Sequence, residues 1–266
     1  MPSSIVGIPV PGENALVGFS YSRTQDLDVL SWMNFVSPAG RPTSAEASRI
    51  SAMVRGFKKL GVWNKFDYFY YHAAPVAGLA HTNMVNLSTT ALTAYGTFTA
   101  RKGIKGSSAG SWYYYTHSGP AKMVKDSATM GAWVTDRSGN TQTVDIIAMT
   151  SYRYLRCGNR PTNGYSNKGA TGDYNEITNG DVGTGLYAVS NDANNGYLFT
   201  SPDATVTAGP TGQRYDNVDP AYQMTWCGNS GMAGLAVSFG GSFITPAEMS
   251  AINALIKTCL TGNGVI

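Results

Sequence analysis

The sequence is poor in charge. Only 13% of its 266 residues are Asp, Glu, Lys or Arg, and the net charge is +3. A chain that binds nucleic acid through the phosphate backbone needs a basic stripe to displace counterions. The nearest thing here is Arg101, Lys102 and Lys105, which flank a glycine and read as a solvated turn. Nucleic acid is therefore not an expected partner. Cysteine is scarce too: Cys157, Cys227 and Cys259 are far apart, odd in number and form no CxxC. Neither a disulfide framework nor a zinc site fits that pattern. The spacing leaves open whether Cys157 and Cys227 meet, while Cys259 falls on the apolar face of a predicted helix. No apolar run reaches the length of a membrane span. The start, MPSSIVGIPVPGENALVGFSYS, lacks the basic and apolar regions of a secretory signal. Neither a membrane partner nor the ordinary secretory route is expected.

Paired carboxylates are missing as well. Most glycosidases place two acids on either side of the bond they break. On a strand those acids need same-face spacing, as in E-x-D-x-E, because side chains alternate. The only glutamates are Glu13, Glu46, Glu176 and Glu248. Glu46 and Glu248 fit capping boxes, and Glu13 lies near the amino terminus. Glu176, with Asp173 and Asp181, sits in GDYNEITNGD, which reads as an exposed loop without the spacing of a calcium site. The histidines His72, His81 and His117 have no metal-ligand spacing, and GxSxG, P-loop and dinucleotide fingerprints are absent. The expectation is no enzymatic activity, no cofactor and no metal. The alternative is a glycan-active hydrolase or lyase; in the lyase, His117 and Tyr115 would supply a base and an acid.

Glycine and tyrosine are plentiful, at 31 and 16 residues. With Thr, Ser and Asn they suggest short strands, many turns and a polar surface. Residues 1–38 read as an extended arm that packs on its own domain or on a neighbouring subunit, and residues 39–266 as one domain. TSAEASRISAMVRGFKKL, residues 43–60, predicts a helix. Thr43 and Glu46 form a capping box, Ile50, Met53, Val54, Phe57 and Leu60 make one apolar face, and Gly61 caps the end. A strand follows at Phe66–His72. From about 80 to 240 come short β-like runs broken by Gly, Asn, Ser and Pro, at the spacing of a sandwich or jelly roll. TPAEMSAINALIKTCL predicts a second helix, with Thr245 as N-cap, Pro246 in the first turn and Gly262 as its stop. It is expected on a sheet edge or over an open end.

Two segments carry a family resemblance. GLAVSFGGSFITPAEMSAINALIKTCLTG resembles the end of concanavalin A-like (laminin-G-like) jelly rolls, where a last strand leads into a short helix. Residues 60–136 resemble a group of such domains in tailed-phage structural proteins. The matching runs are LGVWNKFD from Leu60, FTARKGIKG from Phe98, Tyr115-Thr116, and MGAWVTD from Met130. Lys102 departs from the pattern, which has glycine there. The resemblance implies an all-β, two-sheet antiparallel jelly-roll sandwich with two short helices and an extended arm. It further implies a bacteriophage virion protein of the tail fibre, tail tip or capsid surface, assembled in the host cytoplasm. Its expected partners are other virion proteins, further copies in a symmetric homo-oligomer, and a host-surface glycan.

SWYYYTHSG supplies the candidate ligand-binding residues Trp112, Tyr113, Tyr114, Tyr115 and His117. On a strand Trp112 and Tyr114 face one way, and Tyr113 and Tyr115 the other. At most two rings share a face, so the run is no single flat sugar platform. One pair is expected between the sheets. The other is expected to be partly exposed, and covered by protein in preference to sugar.

Overall fold

The computed structural model describes residues 25–87, 93–94, 96–106, 113–116, 122–124, 127–136, 144–149, 156–159, 164–167, 177–179, 183–200, 205–209, 223–228 and 234–266. Four α-helices occur among them: α1 (Leu27–Met33), α2 (Ser44–Lys59), α3 (Ala77–Ala80) and α4 (Pro246–Gly262). The strands, in chain order, begin with β1 (Phe66–Tyr71), β2 (Thr93–Ala94), β3 (Thr97–Thr99), β4 (Gly103–Lys105) and β5 (Tyr113–Thr116). Next come β6 (Ala128–Asp136), β7 (Val144–Met149), β8 (Arg156–Asn159), β9 (Gly164–Asn167) and β10 (Ile177–Asn179). The last are β11 (Gly185–Asn191), β12 (Gly196–Thr200), β13 (Thr205–Gly209), β14 (Gln223–Gly228) and β15 (Gly234–Gly241).

The strands form two antiparallel sheets. The first runs β13-β12-β11-β6-β15-β4-β3, with β1 also paired to β15, and the second runs β10-β9-β8-β7-β14-β5-β2. Strands β7 and β8 pass over β6, β8 over β11, and β10 over β12 and β13. This is the expected two-sheet jelly-roll sandwich.

Register decides which residues share a face of the first sheet. Tyr71, Val237, Trp133 and Leu186 form one cross-strand row, and Phe69, Phe239, Gly131 and Ala188 the next. Both rows join one apolar cluster with Trp32 of α1, Val54 and Phe57 of α2, and Ile252 and Ile256 of α4. The opposite face carries Tyr70, Ser238, Ala132 and Tyr187 in one row, and Met130, Val189 and Leu198 in another. These are buried too, beneath the second sheet. Strands β1, β11 and β15 are consequently buried at every position. That explains why Phe66–Tyr71 is aromatic almost throughout and does not alternate with polar residues.

Glycine makes room for the rings. A Cβ on Gly131 would lie 2.3 Å from the ring of Phe239, and one on Gly240 would lie 2.4 Å from the Tyr68 hydroxyl. Between α2 and α4, Gly56 gives the Leu255 side chain its space.

Both predicted helices form with both halves of their capping boxes, Thr43–Glu46 and Thr245–Glu248. Gly61 takes the left-handed conformation that ends α2, with φ +75°. Three details differ from expectation. Helix α4 lies beside α2 on the first sheet, because that face is apolar and needs a cover. It continues through Gly262 and ends at Asn263, whose N–H bonds the Cys259 carbonyl. Leu60 sits at the end of α2 and is largely exposed. Helix α1 was not foreseen, since seven residues carry too little periodicity to be read. Its Trp32 is fully buried and donates an indole hydrogen bond to the Leu79 carbonyl at 3.1 Å. Lys58 bridges Asp26 and Asp28 at its start.

The backbone also answers the question about cysteines. Cys157 of β8 pairs with Ile147 of β7, which pairs with Trp226 of β14, the neighbour of Cys227. Two strand spacings separate them by roughly 9.5 Å, beyond the roughly 7 Å reach of a disulfide. Cys259 is a buried free thiol, pushed up to about 12 by burial. No helix among the described residues is long and apolar enough to cross a membrane.

Candidate functional site

The first sheet offers no open face in its middle: helices seal one side and the second sheet seals the other. A ligand must be met elsewhere, and among the described residues the packing opens at the β3–β4 end. Strand β3 is mostly exposed, unlike β1, β11 and β15. A cleft of about 350 Å³ opens there. Its lining comes from Thr99 of β3, the turn and strand Lys102–Lys105, Thr135 and Asp136 of β6, Gly234 of β15, and Val265 after α4.

Local chemistry shapes this end. Gly103 adopts φ +115°, and a Cβ there would lie 2.0 Å from the Leu235 carbonyl oxygen. Only glycine lets β4 close against β15 at that point. Arg101 takes φ 59°. It is held there by its N–H on the Ala74 carbonyl and by an ion pair with Glu46. Burial pushes the Glu46 carboxyl up, but hydrogen bonds from Arg101 and Thr43 outweigh it and hold the group below its ordinary value. Lys105 pairs with Asp136 across the cleft. Lys102 is exposed and forms no ion pair among the described residues. The basic turn is thus more than solvated charge. Two of its cations are committed to carboxylates, and Lys102 is left at the cleft.

Strand β5, which carries Tyr113–Tyr115, lies at the same end of the sandwich. Tyr113, Tyr114 and Tyr115 fall on β5, where they pair with Trp226, Thr225 and Met224 of β14. Thr93 and Ala94 of β2 flank β5 on its other side. Only residues 95 and 96 connect β2 to β3 of the first sheet. That length of chain spans at most about 10 Å, which matches the usual gap between packed sheets. The β5–β2 margin therefore sits over the β4–β3 margin. The side chains of Tyr113, Tyr114 and Tyr115, and residues Trp112 and His117 altogether, lie outside the described residues, as do Glu13, Asp173, Glu176 and Asp181.

His72 is structural. It is fully buried, with Nδ1 2.9 Å from the Ala80 carbonyl oxygen and Nε2 2.7 Å from the Ser238 hydroxyl. A carbonyl only accepts, so Nδ1 carries the proton and Nε2 accepts from Ser238. Burial lowers its pKa to about 3 and keeps the ring neutral, stacked on Tyr70. No group of three or more metal-ligating His, Cys, Asp or Glu side chains occurs among the described residues.

No protein-family model and no curated protein matches the chain. Solved structures do. A sialidase from Trypanosoma rangeli in complex with sialic acid aligns over 79% of this chain at 9% identity, with a TM-score of 0.52. The chain spans 39% of that sialidase's length. Domain 4 of a GH43 extracellular arabinanase from Geobacillus stearothermophilus, in complex with arabinotriose, aligns over 71% of this chain and 98% of its own. Its identity is 12% and its TM-score 0.43. The binding domain of botulinum neurotoxin serotype D aligns over 73% of this chain and 52% of its own, at 9% identity and a TM-score of 0.46.

The sialidase likeness bears on the fold alone, an antiparallel β-sandwich. That likeness corrects one expectation. The chain was expected not to be an enzyme, on the ground that no two carboxylates share a strand face. Part of a glycosidase has this fold, and sialidases, with a tyrosine nucleophile, are exceptions to the two-carboxylate rule. Counting carboxylates was too narrow a test, and the exclusion of enzymatic activity falls.

Proposed function

We propose that the chain is a carbohydrate-engaging jelly roll carried by a bacteriophage particle, where it meets host-surface glycans. The observation that carries the glycan reading is the polar cleft at the β3–β4 margin. It brings hydroxyl, ammonium and carboxylate groups together beside the strand that bears Tyr113–Tyr115. Sugars are bound by such convergent polar groups together with aromatic faces. The particle reading draws on the runs between Leu60 and Asp136 that resemble tailed-phage domains. In it the attachment element is the arm expected over residues 1–38, cut back to what lies ahead of α1 because Val29, Trp32 and Met33 pack in the core; other virion proteins are the partners, and copies repeat with the particle's symmetry.

A second reading has the chain act on the glycan it holds. It draws on the sialidase fold and on Asp136, the carboxylate that lines the cleft. One experiment serves both. The protein is run through gels containing host polysaccharide, and the polysaccharide is then assayed for new reducing ends and unsaturated products. Retardation without products supports binding, and products support the second reading. Free migration with no products on any polysaccharide of the host defeats both. Mass spectrometry of purified particles tests the virion assignment, which absence of the chain from particles would overturn.

A further inference from the structure

The geometry points to a sugar residue that carries a carboxylate as the occupant of the β3–β4 cleft. This rests on the glycan reading above and narrows it to acidic sugars. Size comes first. About 350 Å³ lies at the small end of the range for small-molecule sites, suited to a short stretch of glycan. Lining chemistry comes next. Among the described residues no aromatic lines the cleft, so that lining offers a sugar hydrogen bonds and charge and no ring to stack on. Recognition in this cleft therefore rests on hydrogen bonds and charge.

Three charged side chains line it among the described residues, Lys102, Lys105 and Asp136, and the Arg101–Glu46 pair adjoins Lys102 along the chain. Arg101 is paired with Glu46, and Lys105 with Asp136. Each pair is neutral as a unit. Lys102 remains, exposed, lining the cleft and without an ion pair among the described residues. An uncompensated ammonium beside two neutral pairs is a seat for one anionic group, and hydrogen bonds to charged groups are the strong ones. The surrounding groups suit the rest of a sugar. Thr99 and Thr135 carry hydroxyls that both donate and accept, and Asp136 accepts from ring hydroxyls. The backbone that presents Lys102 is fixed on both sides, by the Arg101–Glu46 pair before it and by Gly103 against Leu235 after it. The ammonium is thus anchored at its root.

Matched sugars test this by calorimetric titration at low salt: trigalacturonate against its methyl ester, and sialyllactose against its methyl ester. Each pair differs in an available carboxylate. The acid form is expected to bind about tenfold tighter than its neutral counterpart. In Lys102→Met that preference is lost while the circular-dichroism spectrum and unfolding midpoint stay unchanged. In Asp136→Asn, which removes a carboxylate from the cleft, the preference widens. Opposite signs in two cleft variants could not come from general loss of structure. Equal binding of acid and neutral forms, or an acid preference that survives Lys102→Met, overturns the inference and leaves the glycan reading standing. If none of the four sugars binds, the acidic-sugar inference falls, and the polysaccharide gel decides the glycan reading on its own.

Discussion

The middle of the first sheet and its β3–β4 end are built on different terms. In the middle, β1, β11 and β15 are buried at every position, and rings such as Phe239 fill the space left by glycines. His72 is satisfied internally there, between Ala80 and Ser238. At the β3–β4 end the strands are three residues long, Thr97 and Thr99 are exposed, and charges meet in pairs around a cleft. The same sheet therefore spends one part on stability and leaves another free for recognition. Substitutions should separate the two: large stability effects in the middle, and binding effects without stability effects at the end.

Trp32→Ala should have the largest effect. The indole is fully buried against the helix-covered face and its N–H is bonded to Leu79. Loss of about 3–5 kcal/mol is expected in urea unfolding. A loss below about 1 kcal/mol would detach α1 from the core. Gly56→Val comes second. Its side chain would press on Leu255, whose Cδ2 lies 2.7 Å from the site of the new Cβ. Overpacking between α2 and α4 should cost about 1–3 kcal/mol. A neutral result would mean that Leu255 swings clear.

His72 gives a pH signature confined to the middle. Its pKa is lowered to about 3 by burial, against an unfolded value near 6.5. The unfolded chain takes up a proton below about pH 6.5 while the folded chain does not. Stability from this group is therefore complete above about pH 6.5 and drains away as pH falls toward 3, at up to about 1.4 kcal/mol per unit. His81 is shifted in the same direction by burial and adds to the slope. His72→Asn should be less stable at pH 7 but lose less on acidification, as thermal melts across that range would record. An unchanged slope contradicts the buried neutral ring. Lys102→Met should have the smallest effect on stability, within about 0.5 kcal/mol, because the side chain is exposed and forms no ion pair among the described residues.

The parts of this molecule that were legible in the sequence are local ones. Thr43 with Glu46 and Thr245 with Glu248 announce their helices within four residues, and both boxes form. The turn-rich run after residue 80 announces a β-sandwich. What the sequence hides is non-local. Phe66 pairs near Gly241, and β6 sits between β15 and β11, and nothing in the spacing of residues marks such partners. Helix α1 is too short for its periodicity to stand out, and tertiary contacts through Trp32 and Lys58 hold it. The cleft escaped notice for the same reason. Thr99, Lys102, Asp136 and Gly234 come from separate segments that only the sheet order unites. The one available signal, three cations around a glycine, looked like solvated charge because Glu46 and Asp136 are distant in sequence.

Amide hydrogen exchange of the whole chain, with and without the host polysaccharide fragment that it retains best, tests the central claim most directly. The account predicts new protection confined to Thr97–Lys105, Tyr113–Thr116 and the β6 end at Asp136. The helices and β11–β13 should be unchanged. Protection centred on α2 and α4 or on β12 and β13, with none at Thr97–Lys105, would contradict it.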